Sequence, residues 1–181
     1  SMDKPGERPS RPPARRMSRF DAPVRAEGDG YVIDIGDDEA ALVRRLIGEL
    51  RALLTDPEPD SDAQVLLVRL FPVAHRDDEE MEEEYQRLMR EELVQSKLTA
   101  FDTVDSVLAV RRGEEIDDGQ LTAFMQSVNS IRLVLGTMLG VTDDPDADEV
   151  TPGLEDSPEY HLYGYLSWLL EHSVIALSGG E

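Results

Sequence analysis

The sequence predicts a mainly helical protein: a single domain of five or six helices, with a small N-terminal β-hairpin and a disordered leader. Three observations carry that expectation. Apolar residues recur at helical spacing in several long stretches, most plainly Leu121, Phe124, Met125, Val128, Ile131, Leu135, Met138 and Leu139. Stretches rich in Pro, Gly and Asp separate them. Only one segment, Tyr31 to Ile35, alternates in the manner of a strand, and it follows the turn-prone Glu27-Gly28-Asp29-Gly30.

Each element has a local reason. Residues 1–17 carry Pro5, Pro9, Pro12 and Pro13 among Arg, Ser and Gly, and so little apolar area cannot offset the entropy of ordering. Ser1 ahead of Met2 reads as a remnant before the native start. The helical domain is expected over residues 18–178, with residues 179–181 as a tail. Arg19 to Arg25 and Tyr31 to Ile35 flank the glycine turn as a hairpin, which must lie on the helices because an isolated hairpin is marginal. Asp37 or Asp38 is placed to cap a helix running to about Leu54, with Leu42, Val43, Leu46, Ile47, Leu50, Leu53 and Leu54 on its inner side.

A Pro- and Asp-rich loop, Thr55 to Asp62, precedes a short helix from about Ala63 to Phe71 that Pro72 ends. Asp77 or Asp78 then opens a long helical region to about Arg112, broken near residue 90, with Met81, Tyr85, Leu88, Met89, Leu93, Leu98, Phe101, Val104, Val107 and Leu108 facing inward. Gly113 stops it. The next helix is expected from about Asp118 to Leu139, with Gly140 as its capping glycine. An acidic loop, Thr142 to Ser157, leads to a last helix over about Pro158 to Leu177.

Charge narrows the classes of function. The formal net charge of the 181 residues is -21, and it is unevenly spread. Residues 1–28 hold seven Lys or Arg against four Asp or Glu, a net of +3, and the remainder is at -24. Phosphate backbones are bound by clustered Lys and Arg, so the folded body is not expected to bind nucleic acid directly. An acidic body instead suits contact with basic protein surfaces. The chain has no cysteine, which excludes disulfides, thiol catalysis and a thiol switch. No apolar run approaches the ~20 residues of a membrane span, and no secretory signal is seen, so a cytoplasmic location without membrane contact is expected.

Several residues are candidates for a role. Arg132, with Asn129 one turn earlier, is an obligate cation inside an apolar run. It is expected to brace the interior against Asp77, Asp78 or Asp102; otherwise it lines a ligand pocket. Gly136 and Gly140 stand four apart, a spacing that lets helices approach closely, although a cap is the simpler role for Gly140. Phe71 and Pro72 read as a core plug and a helix stop, or else as a docking loop. The run Asp77, Asp78, Glu79, Glu80, Glu82, Glu83 and Glu84 reads as a solvated helix N-terminus and is also the expected partner-binding patch.

Metal chemistry has little support. His161 and His172 lie 11 residues apart on one helix, about 16 Å, and cannot share an ion. Asp144, Asp146, Asp148 and Glu155 imitate a calcium loop, but Glu149 stands where its turn needs Gly. No cofactor is expected. Tyr160, Tyr163, Tyr165 and Trp168 crowd the last helix without forming one stripe. Those left outside the core are candidates for a homodimer seam. Phosphate loops, nucleophile elbows and H-E-x-x-H patterns are missing, so no enzyme is expected.

Three blocks go beyond generic helix: Leu70-Phe71-Pro72-Val73-Ala74-His75-Arg76-Asp77-Asp78, then Asn129 to Val141, then Leu162-Tyr163-Gly164-Tyr165-Leu166-Ser167-Trp168-Leu169-Leu170-Glu171. In this order they resemble the actinobacterial oxidative-stress regulator (AosR-like) family, long known only as a domain of unknown function. The patterns LFP-x-A-x-x-D-D and N-x-x-R-L-x-L-G-x-x-L-G carry the likeness over residues 18–178. The resemblance implies a mainly helical cytoplasmic protein of transcriptional control. It also implies redox-sensitive contact with an alternative sigma factor or RNA polymerase. This chain departs from the redox mode, because a cysteine-pair switch needs cysteine. The function expected is therefore a non-enzymatic regulator acting by protein–protein contact in the stress response, without that switch. The alternative is a small-ligand-binding sensor with a pocket near Arg132 and Asn129.

Overall fold

A computed structural model describes residues 22–71, 79–109, 113–140 and 156–179, and within these the side chains of residues 79–82 are left aside. The leader, the loop after Phe71 and the acidic loop with its calcium-like pattern lie outside the described residues. Strand β1 (Val24–Glu27) pairs antiparallel with β2 (Gly30–Ile33) across the Gly28 turn, where φ is +60°. Helices α1 (Asp37–Thr55) and α2 (Ser61–Val68) follow, then α3 (Glu79–Ala109), a two-residue strand β3 (Glu115–Ile116), α4 (Asp118–Leu139) and α5 (Pro158–Leu177). The protein is mainly helical, as its periodicity predicts, with a small sheet at the N-terminal end.

The sheet has one strand more than expected. β3 pairs antiparallel with β2, Tyr31 opposite Ile116, giving the order β1-β2-β3. Gly30 makes this pairing feasible: a Cβ there would lie 2.4 Å from the Ile116 carbonyl oxygen. Two residues are too short for any period to register, so β3 left no trace in the pattern.

Helix ends follow side-chain caps. Asp117 caps α4 reciprocally: its carboxylate accepts from the Gln120 backbone N–H at 2.8 Å, and Gln120 Oε1 accepts from the Asp117 N–H at 2.9 Å. Asp60 caps α2 and Ser157 caps α5. Gly140 ends α4 in the left-handed region at φ 71°. The N-cap of α1 is Gly36, whose N–H donates to Glu39 Oε2 at 2.7 Å, so the expected caps Asp37 and Asp38 fall inside the first turn. There they still oppose the positive end of the helix dipole.

The core lies where α4 is packed between α3 and α5, with α1 and the sheet closing it. Phe101 and Val104 of α3, Leu121, Phe124 and Val128 of α4, and Leu166 and Leu169 of α5 are wholly buried. Gly136 admits the close approach of α5: a Cβ there would meet the Tyr163 ring at 3.0 Å. The expected break in α3 near residue 90 is absent; the helix is continuous for 31 residues, about 46 Å. Only its C-terminal half is sealed in the core. Toward its N-terminus it runs on as an arm with α2 alongside.

Candidate functional site

The arm departs most sharply from what periodicity predicts. Tyr85, Leu88 and Met89, expected to face inward, are exposed by 37%, 53% and 36%. Across from them, Val65 and Val68 of α2 are each 60% exposed. Of the eight large hydrophobic residues exposed among the described residues, these are five. Three of them, Val68, Tyr85 and Met89, line one hollow and so are not the scatter normal on a soluble surface. Leu67 and Leu70 anchor α2 to the core, yet α2 and α3 make almost no close backbone approach. Between them lies a hollow of about 570 Å³ lined by Leu67, Val68, Phe71, Tyr85, Met89 and Leu93, with Glu83, Gln86, Arg87 and Arg90 on its margins.

Phe71 serves the core and the hollow together. It is half-buried against the core cluster, and it also forms the floor of the hollow. The Arg90 guanidinium lies 4.8 Å over its ring, a cation–π contact that holds the arginine down. A second hollow of about 660 Å³, lined by Asp56, Pro57, Glu91, Val94 and Gln95, lies beyond Arg87 and Arg90, which border both. Among the described residues neither arginine forms an ion pair, whereas Arg25, Arg44 and Arg51 all do.

The acidic run is only partly visible. Glu83 and Glu84 are exposed on the arm. Glu79, Glu80 and Glu82 lie on the same helix but their side chains, like Asp77, Asp78 and Pro72 entirely, lie outside the described residues. Glu83 lines the hollow between α2 and α3, so one end of the acidic run adjoins its apolar lining.

Arg132 does not find the brace expected of it in Asp102. That carboxylate is taken by Arg51 at 2.9 Å, on the side of α3 that faces α1. Asp77 and Asp78 lie outside the described residues. Among those described, Arg132 meets no carboxylate. Its Nη1 donates to Tyr163 Oη at 3.5 Å and its Nη2 to Asn129 Oδ1 at 3.4 Å, while its Nε is buried without a partner. The guanidinium also lies 5.8 Å from the Tyr163 ring. Neither hollow described above is lined by Arg132 or Asn129.

Other polar groups sit under strain of solvation. The Tyr165 hydroxyl is buried with no hydrogen-bond partner among the described residues. Burial, then the negative charge of Glu39, pushes its pKa well above the usual phenol range. Among the described residues the Lys97 ammonium reaches only Ser130 Oγ, at 3.3 Å, and burial lowers its pKa. Trp168 is half-buried, edge-on to His172 at 5.3 Å and tilted against Tyr165 at 6.0 Å. Among the described residues no three His, Asp or Glu side chains converge to hold a metal ion, and no helix is long and apolar enough to cross a membrane.

Sequence reasoning identified the carboxylates but missed Val65 and Val68 as surface residues, and it turned Tyr85, Leu88 and Met89 the wrong way. One signal was present: Glu83, Arg87, Arg90 and Glu91 interrupt the same stretch, and so many charges around an apolar stripe are poor company for a core face.

Residues 17–177 match the family described as a domain of unknown function, DUF2017, and the chain belongs to it. No curated protein and no solved structure matches the chain.

Proposed function

We propose that this DUF2017 member is a non-enzymatic cytoplasmic regulator of the actinobacterial AosR-like kind, acting in transcriptional control by protein contact and without a cysteine switch. The observation that supports the reading is the apolar hollow between α2 and the α3 arm, which the described residues leave unfilled and which Glu83, Arg87 and Arg90 border. Contiguous apolar surface of this kind is retained where another molecule covers it. The charge of -24 beyond residue 28 favours a basic polypeptide partner over nucleic acid. An alternative sigma factor or RNA polymerase is the partner the reading names. A low-salt pull-down with the full chain tests it. Recovery of either partner is expected, with Val68→Asp recovering much less; recovery of neither overturns the reading.

A second reading, a small-ligand sensor around Arg132 and Asn129, is favoured by the buried, unpartnered Nε of Arg132. A thermal-shift screen against small carboxylates and phosphates separates the two. A sensor gains melting temperature by mass action, and Arg132→Gln abolishes the gain.

A further inference from the structure

We propose that Lys97 is an acylation site: its side-chain amine takes a small acyl group, of the size of acetyl, from an acyl thioester. The inference goes beyond the protein-contact reading and does not depend on it. It rests on what surrounds this one amine where α3 packs on α4.

The sequence contains two lysines, Lys4 and Lys97. The other basic residues that stay charged at neutral pH are arginines, which cannot shed a proton to become nucleophiles. Arg25, Arg44 and Arg51 pair with carboxylates. Lys97 pairs with none among the described residues, although the body around it is strongly acidic. Its ammonium donates to Ser130 Oγ at 3.3 Å, and Ser130 is buried. One turn away on α3 stand Leu93, Val94, Ala100 and Phe101, all apolar. A half-buried charge with one neutral partner is poorly compensated. Burial lowers its pKa, so the free amine is more populated at neutral pH than on an exposed lysine.

Charge decides among the reactions open to an amine. Carbon dioxide gives a carbamate, an anion added to a body already at -24 beyond residue 28. An aldehyde gives an imine, whose protonated form keeps the charge where it was. Acylation removes the charge. In that step Nζ attacks the thioester carbonyl carbon and the N–C bond forms. The C–S bond breaks, and the sulfur leaves as a thiol carrying one of the amine protons. The amide keeps one N–H to donate to Ser130 and brings a carbonyl oxygen, an acceptor that an ammonium lacks. Ser127, one turn before Ser130 on α4, is buried, and its hydroxyl has no partner among the described residues. Residues three apart on a helix stand about 5–6 Å apart at Cβ, so the new acceptor arrives within a turn of an unused donor.

The test treats the full chain at neutral pH with the acetyl thioester of an uncharged thiol, because a net charge of -21 repels an anionic donor. Acetylation at Lys97 and at Lys4 is followed by mass spectrometry, in the folded chain and in urea, with Lys4 as the reference amine. In the folded chain Lys97 is expected to react roughly threefold faster than Lys4 or more, and in urea the two rates are expected to converge. The acetylated protein is expected to melt about 2 °C or more above the unmodified one, and Ser127→Ala to reduce that gain.

Reaction at Lys97 no faster than at Lys4 in the folded chain overturns the proposal. So does a preference that survives urea, which would belong to local sequence rather than to the fold, and so does a melting temperature that falls on acetylation. Lys97→Arg keeps the charge and removes the amine. It is expected to lose the label and the melting gain together, and a gain that persists in this variant overturns the proposal as well.

Discussion

Arg132 illustrates how a residue's type constrains it less than its neighbours do. A guanidinium in an apolar run requires compensation, and a carboxylate is the usual form. Here a phenol and an amide at 3.5 and 3.4 Å take that place among the described residues. Arg132→Met is therefore expected to change unfolding free energy by no more than about 1 kcal/mol, because no buried acid is orphaned. Loss of about 3–5 kcal/mol in urea denaturation would instead reveal a buried ion pair. Tyr165 makes a complementary case. Its buried hydroxyl makes no close hydrogen bond among the described residues and faces the Glu39 carboxylate, so Tyr165→Phe is expected to cost nothing or to stabilise the fold by up to about 1 kcal/mol. Its pKa is raised in the folded state, so as pH rises past the ordinary phenol value of 10.0 the unfolded state loses its proton first. Stability must then fall with pH, and Tyr165→Phe should flatten that fall when melts at about pH 9 and pH 11 are compared. Tyr31, which a hydrogen bond to the Asp118 carboxylate holds protonated, adds to the fall, while Lys97, whose pKa burial lowers, opposes it.

Elements were legible where their causes are local. The limits of α4 and α5 follow from Asp117, Gly140, Ser157 and Pro158, residues whose preference for helix ends acts within one turn. Asp117→Ala removes one partner of a reciprocal cap and is expected to lower stability by about 1 kcal/mol in thermal melts. α3 shows the limit of such reasoning. A break near residue 90 was expected from the length of the pattern, yet no Pro or Gly lies between Glu79 and Ala109 to cause one. The interruption is one of burial, not of backbone. Residues 100–107 alternate between core and surface as a packed helix should, while residues 83–92 have little to pack on. Amide exchange should register this: residues 83–92 are expected to exchange at least tenfold faster than residues 100–107. Uniform protection along α3 would show that something already covers the arm.

Across the whole molecule, electrostatic sign and an uncovered groove support the same reading. The net charge of -21 favours cationic protein and opposes polyanions. The candidate site was therefore half visible in the sequence: its charges could be read directly, and its apolar half could not. Val68, Tyr85 and Met89 look like core residues by period, because a period reports only that a helix has an apolar side.

Sequence by itself determined the helices, the Gly140 cap, the glycine turn of the hairpin and the sign of the surface, since each depends on residues within a turn of one another or on a sum over the chain. Tertiary structure alone decided that β3 joins the sheet, that Asp102 belongs to Arg51 rather than Arg132, and that among the described residues nothing seals the apolar stripe of the α3 arm beside α2. Whether a face is buried depends on which distant element arrives to cover it, and no local pattern encodes that arrival.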